Sequence, residues 1–136
     1  MREDVSGRGK DVVSGRAPEP VGAFPHAKRV GDFLFLSGIG PRKRGTKEIP
    51  ADFEAQVLAV FENVRLVLED AGARWDDIVD VTVFLTDMAH DFAAYNRVYA
   101  EYFSAAQPCR TTLGITALPT PIAIELKCIA ALPEKS

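Results

Sequence analysis

The segment over residues 52–71 constrains the fold most, because its apolar residues recur at the three- and four-residue spacing of an amphipathic helix. The apolar positions are Phe53, Val57, Val60, Phe61, Val64, Val67 and Leu68. Gly72 follows the last of them, and glycine commonly ends helices. A helix of this length must cover its apolar face with another element, so the rest of the chain has to supply a packing partner.

Strand patterns precede the helix and follow it. Two apolar runs flank a turn at Gly31-Asp32 and predict a β-hairpin over about 26–38. Residues 79–86 alternate as a strand does, and residues 90–104 predict a second, aromatic-rich helix.

Two strands, at about 110–118 and 122–131, are predicted to close the chain as a hairpin that turns at 119–121. The whole order predicts an α+β fold in which one mixed β-sheet carries both helices on one face.

Composition bounds the domain organisation and the environment. The 136 residues suit one domain, and residues 1–22, rich in Gly, Ser, Pro and charge, predict a flexible N-terminal arm before a single domain over 23–133. Neither a signal peptide nor a membrane span is recognisable, so a cytoplasmic location is expected. The net charge of −3 argues against a general binder of nucleic acid or membranes. Two cysteines and two histidines lack zinc spacing, so no metal is expected.

One face of the predicted sheet is unusually apolar for a face without helices. The run FLFL is apolar on both sides, and Phe84 lies opposite Val83 and Leu85. Exposed apolar sheet surface usually marks a partner, so a homo-oligomer with these faces packed together is predicted. The alternative is a single over-hydrophobic central strand.

Arg110 and Glu125 are the residues with the clearest chemical potential. The alternation of both closing strands predicts that the two side chains share the face without helices. A turn at 119–121 puts Glu125 opposite Gly114 and leaves Arg110 roughly 14 Å away, too far for a simple ion pair. An arginine matches a carboxylate ligand, and a desolvated glutamate can exchange protons near neutral pH. Alternatively, both are rim charges with solvent or intersubunit partners.

The motifs around these residues are PCRTTLG, which contains Arg110, IEL at 124–126, and FLSGIGP, which contains Ser37 and Gly38. In combination they resemble those of the Rid family, the reactive intermediate deaminases also called the YjgF family. The resemblance extends over about 22–132.

The resemblance implies a chorismate-mutase-like fold and a homotrimer with inward-facing sheets and a cleft between each pair of subunits. It implies that Arg110 binds a substrate carboxylate and that Glu125 orients water and transfers protons. Ser37 and Gly38 line the cleft from the neighbouring subunit. No cofactor is implied.

Two residues depart from the pattern of the wider family. Phe24 replaces a tyrosine, so it cannot donate a hydrogen bond, and Thr112 replaces a frequent cysteine. The stretches RAPEPVGAFPHAKRVGDF, YNRVYAEYF and CRTT are similar to the 2-aminomuconate deaminase branch, although the connection between Glu48 and Phe53 is shorter than is usual there.

The branch resemblance implies hydrolysis of 2-aminomuconate to 4-oxalocrotonate and ammonia. Thr112 is expected to help bind the first carboxylate, and the second carboxylate needs a cation. His26 is the favoured residue, with Lys28, Arg29 and the cluster Arg42-Lys43-Arg44 as alternatives; that cluster can also be read as a solvated loop. Phe24 is expected to cover the planar diene, or to pack in the core.

Three other functions stay open on the sequence alone. A general 2-imino or enamine acid deaminase would use the same Arg110 and Glu125 without a second cation. Members of the family have also been described as RNA-acting, and a ligand-sensing or binding module with an inactive site would fit the same motifs.

Overall fold

The computed structural model describes residues 2–3 and 9–133. Within them, one sheet has the strand order β1-β2-β3-β4-β7-β5-β6. The strands are β1 (Arg2–Glu3), β2 (Lys10–Val12), β3 (Ala27–Val30), β4 (Phe33–Leu36), β5 (Ile78–Leu85), β6 (Cys109–Gly114) and β7 (Ile124–Ala131). The helices are α1 (Phe53–Asp70) and α2 (Met88–Phe103), with a short 3-10 helix at Trp75–Asp77.

Both helices begin at an aspartate that caps them. The Asp52 carboxylate accepts from the backbone N–H of Ala55, and the Asp87 carboxylate accepts from that of His90. Gly72 follows α1 with a φ of 81°, a conformation that glycine adopts without strain. The predicted helices are therefore confirmed. No helix in the described part of the chain is long and apolar enough to cross a membrane.

The apolar side chains of the central strands form the core on the face that the helices cover. Val81, Val83 and Leu85 of β5 are fully buried there, beside Leu126 and Cys128 of β7. The prediction of a single mixed sheet with both helices on one face is confirmed.

The predicted hairpin between the last two strands is wrong. Strand β5 lies between them, pairing with β6 in parallel and with β7 antiparallel. Helix α2 makes the crossover that a parallel pair requires, and this leaves β6 at the edge of the sheet. Glu125 therefore pairs with Phe84, whereas Gly114 pairs with Leu85.

The predicted arm over 1–22 differs from the structure wherever that segment is described in detail. Strand β2 pairs with β3, and Val12, Ser14 and Ala17 are almost completely buried. A three-residue strand followed by glycine and proline has too little periodicity to be recognised in a sequence. The rest of the predicted arm, residues 1 and 4–8, lies outside the described residues.

The buried position of Val12 gives a test of this N-terminal packing. Val12→Ala should lower the free energy of unfolding by about 1–2 kcal/mol, because two buried methyl groups are lost. Val13→Ala is the matched control, since Val13 is 68% exposed and its truncation should cost less than about 0.5 kcal/mol. Urea unfolding at one protein concentration measures both. Equal effects would contradict the packing described for this segment.

Candidate active site in a carboxylate-floored cleft

Three segments of the chain enclose a cleft at the end of β4 and β7. They are residues 18–26, 37–42 and 119–125, and the cavity between them has a volume of about 90 Å³. Prolines and apolar side chains make up much of the wall. Its charged lining groups are the carboxylates of Glu19 and Glu125 and the guanidinium of Arg42.

Glu125 is held at this cleft by strand pairing and by close contact with Gly38. A Cβ atom at position 38 would lie 2.8 Å from the carboxyl carbon of Glu125, so a larger residue there would displace this carboxylate from its position. Burial raises the pKa of Glu125. A half-buried carboxyl group with a raised pKa can carry a proton closer to neutral pH than an exposed one.

Ser37 lines the cleft, and its hydroxyl is hydrogen-bonded within the chain. Its hydroxyl donates to the carbonyl oxygen of Pro25 at 2.7 Å, and its backbone N–H donates to that of His26 at 3.0 Å. These bonds tie the start of the 37–42 segment to the stretch that carries Phe24. Phe24 is 42% exposed at the cleft, so its ring is available to a ligand and is not packed in the core.

His26 borders the cleft but is not placed to act as a cation. It is 2% exposed, its Nε2 lies 2.8 Å from the carbonyl oxygen of Pro18, and its Nδ1 accepts the backbone N–H of Ser14. A ring that accepts at Nδ1 and donates at Nε2 is the neutral imidazole tautomer. Both ring nitrogens are already hydrogen-bonded to backbone groups, so the structure does not support the predicted role of His26 as the second cation.

The basic loop after the cleft leaves Lys43 and Arg44 exposed, as the reading of a solvated loop expects, yet two of its arginines bind the main chain. Arg42 donates to the carbonyl oxygens of Thr46 and Glu19, and Arg44 donates to those of Ser14 and Ala17. The two arginines thus bind the main chain of the N-terminal segment that forms one wall. Arg42 lines the cleft, whereas Arg44 does not.

Arg110 lies in an aromatic cage on the other side of the sheet. Its guanidinium carbon is 5.7 Å from the ring centre of Phe92, 5.2 Å from that of Tyr95 and 4.6 Å from that of Tyr99. Cation–π attraction of this kind holds a guanidinium without neutralising it. Nε donates to Oγ1 of Thr112 at 2.8 Å, which turns the forked end of the arginine away from the strand. Thr112 therefore orients Arg110.

Arg110 and Glu125 do not share a face, and that prediction is wrong. Residues paired directly across strands point to the same side of a sheet. Arg110 pairs with Val81, which the helices cover, whereas Glu125 pairs with Phe84 on the opposite face. One chain therefore holds two half-sites, with Glu125, Ser37 and Gly38 in the cleft and Arg110 with Thr112 at the β6 edge.

Several contributors to these half-sites carry little signal in the sequence. Tyr95 and Tyr99 read only as an aromatic helix face, although their side chains frame Arg110. Pro18 and Glu19 belong to the predicted flexible arm, although they form a wall of the cleft. Arg42, by contrast, is among the cations that the sequence offers as alternatives, in a GPR motif directly after SGI.

The described residues form a small α+β fold with a cleft that the Glu125 carboxylate lines. The same fold occurs in solved structures. The profile of the family described as Endoribonuclease L-PSP matches residues 14–132.

Relatives and solved structures agree with this match. A RutC family protein of Pyrococcus abyssi is 41% identical over 123 residues, covering 89% of this chain and 96% of that protein. The Reactive Intermediate Deaminase A of Arabidopsis thaliana is 37% identical, covering 90% of this chain and 66% of that protein. RidA from a Psychrobacter species superimposes with a TM-score of 0.85 at 32% identity, covering 90% of this chain and 98% of the other. The structure of Escherichia coli TdcF with bound serine superimposes with a TM-score of 0.84 at 35% sequence identity, covering 91% of this chain and 99% of that chain.

The chain belongs to the Rid family, which also carries the names YjgF, RutC and L-PSP, as its motifs predicted.

The environment of Glu125 makes stability depend on pH in a definite direction. Because burial raises its pKa above the value in an unfolded chain, the carboxyl group favours the folded state below the unfolded pKa, and that contribution is lost as the pH rises through the folded pKa. Glu125→Gln should therefore gain stability over the wild type as the pH rises from about 4 to about 8. Urea unfolding across this range measures the gain.

The matched control is Glu101→Gln, at an exposed position of α2. No comparable pH-dependent gain is expected there. A gain for Glu125→Gln that shrinks toward pH 8 would show that the carboxylate is stabilised by the fold, contrary to the desolvation argument.

Proposed function

We propose that the protein is a cofactor-independent deaminase that hydrolyses 2-aminomuconate, an enamine with two carboxylates, to 4-oxalocrotonate and ammonia. Family membership supports imine or enamine deamination at the level of the family. The observation that carries the proposal is a desolvated carboxylate, Glu125, at a cleft whose wall carries both an aromatic ring and a cation.

The complete site is formed between two copies of the chain. Arg110 and Glu125 cannot meet within one chain, because they lie on opposite faces of the sheet. A second copy can present its Arg110 to the cleft of the first, and a homotrimer in which the open sheet faces point inward gives three such clefts. The exposed phenylalanines Phe33 and Phe35 and the exposed Leu113 supply apolar surface for this packing.

The reaction consumes one water molecule and needs a series of proton transfers. A proton is added to carbon to convert the enamine to an iminium, and water adds to the iminium carbon as it gives a proton to a base. The nitrogen of the resulting carbinolamine then gains a proton and its hydroxyl loses one, so that the C–N bond breaks, ammonia leaves and the carbonyl forms. Glu125 is the proton donor and then the base that activates water, which a raised pKa favours. Arg110 of the second copy holds the carboxylate beside the reacting carbon, and the Thr112 hydroxyl fixes the direction of its guanidinium.

An RNA-acting function has weaker support. The family profile is described as an endoribonuclease, and the printed sequence has a net charge of −3. Arg42 and Arg44 donate hydrogen bonds to backbone carbonyl groups, so the basic loop is engaged within the chain. Salt-dependent RNA binding that Lys43→Gln, Arg42→Gln or Arg44→Gln abolishes would favour this alternative.

Mixed oligomers test whether the site is shared between copies. Arg110→Gln and Glu125→Gln alone should each lower ammonia release from 2-aminomuconate by about 10²–10⁴-fold. Co-expression with two different tags and tandem purification isolates trimers that contain both variants. Each such trimer has one intact site in three, so about one third of the wild-type activity should return.

Sites contained within single chains would give no recovery in the same mixture, because each chain lacks one essential group. Size-exclusion chromatography with light scattering checks that both variants assemble as the wild type does. A change of assembly state in either variant would explain a failed recovery without bearing on the site.

Substrate choice is tested by comparing two kinds of imine or enamine. Ammonia release is measured with 2-aminomuconate generated in situ and with a small 2-iminoacid generated by an amino acid oxidase. We expect a higher kcat/KM for 2-aminomuconate. If the small iminoacid is preferred by orders of magnitude, the chain is a general 2-iminoacid deaminase and the substrate assignment is wrong.

A further inference from the structure

The geometry points to Arg42 as the residue that binds the second, distal carboxylate of the substrate, which makes the cleft selective for imines and enamines of dicarboxylic acids. This inference rests on the proposed function, since it assigns the far end of the same site. It replaces His26 with a residue that carries a permanent charge.

Arg42 is placed in the cleft that contains Glu125. Both residues line the same enclosed space, and Gly38, which touches Glu125, is four residues before Arg42. Four residues of extended chain span at most about 14 Å, so the long arginine side chain can reach a ligand that is held at Glu125. The segment between them, 39–41, is the wall along which such a ligand would lie.

Arg42 keeps donors available for a ligand. A guanidinium group has five N–H donors, and the hydrogen bonds described for Arg42 go to the carbonyl oxygens of Thr46 and Glu19. These bonds hold the group in a fixed orientation while its side chain stays 18% exposed. A partly desolvated arginine that is already oriented loses little side-chain entropy when a carboxylate binds.

The other predicted cations are engaged elsewhere. Lys28 pairs with Asp11 at 3.4 Å, and Arg29 donates to the carbonyl oxygen of Gly31. Lys43 and Arg44 do not line the cleft, and His26 is the neutral tautomer. Among the described residues that line the cleft, Arg42 is therefore the one with a permanent positive charge.

Glu19 moderates the charge of this subsite. Its carboxylate lies 3.7 Å from Nη1 of Arg42, and it accepts the backbone N–H of Gly45 at 3.0 Å. A distal carboxylate must bind Arg42 directly in order to overcome the repulsion from Glu19. A substrate without that carboxylate gains nothing from Arg42, so Arg42 favours dicarboxylates, and the competing Glu19 carboxylate limits the size of that preference.

Matched arginine variants test the inference. Arg42→Gln should raise KM for 2-aminomuconate by about tenfold to hundredfold, because a charge-assisted hydrogen-bonded contact is lost. KM for a small monocarboxylic 2-iminoacid should change less than about threefold. Arg44→Gln is the control, since Arg44 binds the same N-terminal segment through carbonyl oxygens but does not line the cleft.

Four outcomes are distinguishable. A selective KM increase for the dicarboxylate in Arg42→Gln alone supports the inference. Equal increases for both substrates, or equal effects of the Arg42 and Arg44 variants, overturn it and assign Arg42 a purely structural role. If the wild type turns over iminoacids, Glu125→Gln abolishes that turnover and Arg42→Gln affects both substrates alike, the Arg42 subsite is rejected while the deaminase function stands. No turnover of either substrate by the wild type rejects the proposed function itself.

Glu19→Gln provides a second, opposite readout. Removing the competing carboxylate should lower KM for 2-aminomuconate by about twofold to fivefold and leave the monocarboxylate unaffected. An increase in KM for the dicarboxylate would contradict the charge argument. Wild-type-like thermal unfolding of the Arg42 and Glu19 variants separates these effects from a loss of the cleft wall.

Discussion

The position of β5 between β6 and β7 is the constraint on which the rest of the site depends. Its pairing with both strands fixes which side chains point to each face of the sheet. Because β6 reaches β5 through the α2 crossover, Arg110 is delivered to the helix side, directly beneath the aromatic residues of α2. Strand β7 delivers Glu125 to the open side. A shift of one residue in either ladder would exchange these faces and separate each group from its surroundings.

The surroundings of Glu125 and of Arg110 have opposite effects on the ionised forms of the two side chains. The environment of Glu125 disfavours its ionised form, since burial raises its pKa. The environment of Arg110 favours a cation, since three aromatic rings surround it. A carboxyl group with a raised pKa and a persistent cation suit proton transfer on a carboxylate-bearing substrate. Because the two groups lie on opposite faces of the sheet, they do not neutralise each other within one chain.

The sequence was sufficient for both helices, for the strands that follow residue 26 and for family membership, because amphipathic periods and family motifs are local signals. The sequence was insufficient to predict on which face of the sheet the Arg110 side chain lies. Strand β6 reads CRTTLG, in which neither parity is clearly apolar, and as an edge strand it covers the core with Arg110 and Thr112 rather than with aliphatic side chains. The prediction that His26 binds the second carboxylate is not supported for a different reason. Only the three-dimensional structure shows that both of its ring nitrogens are hydrogen-bonded to backbone groups.

The wall of the cleft formed by the N-terminal segment is attached through its main chain. Arg42, Arg44 and His26 all bond to backbone groups of residues 14–19, and every residue type offers a carbonyl oxygen there. Side chains add to this attachment at particular positions, since Ser14 and Arg16 bind the Asp70 carboxylate and Glu19 accepts the backbone N–H of Gly45. Substitutions at exposed wall positions such as Val21 could reshape the mouth of the cleft while the segment stays attached. The architecture thus separates the evolution of ligand preference from the maintenance of the fold.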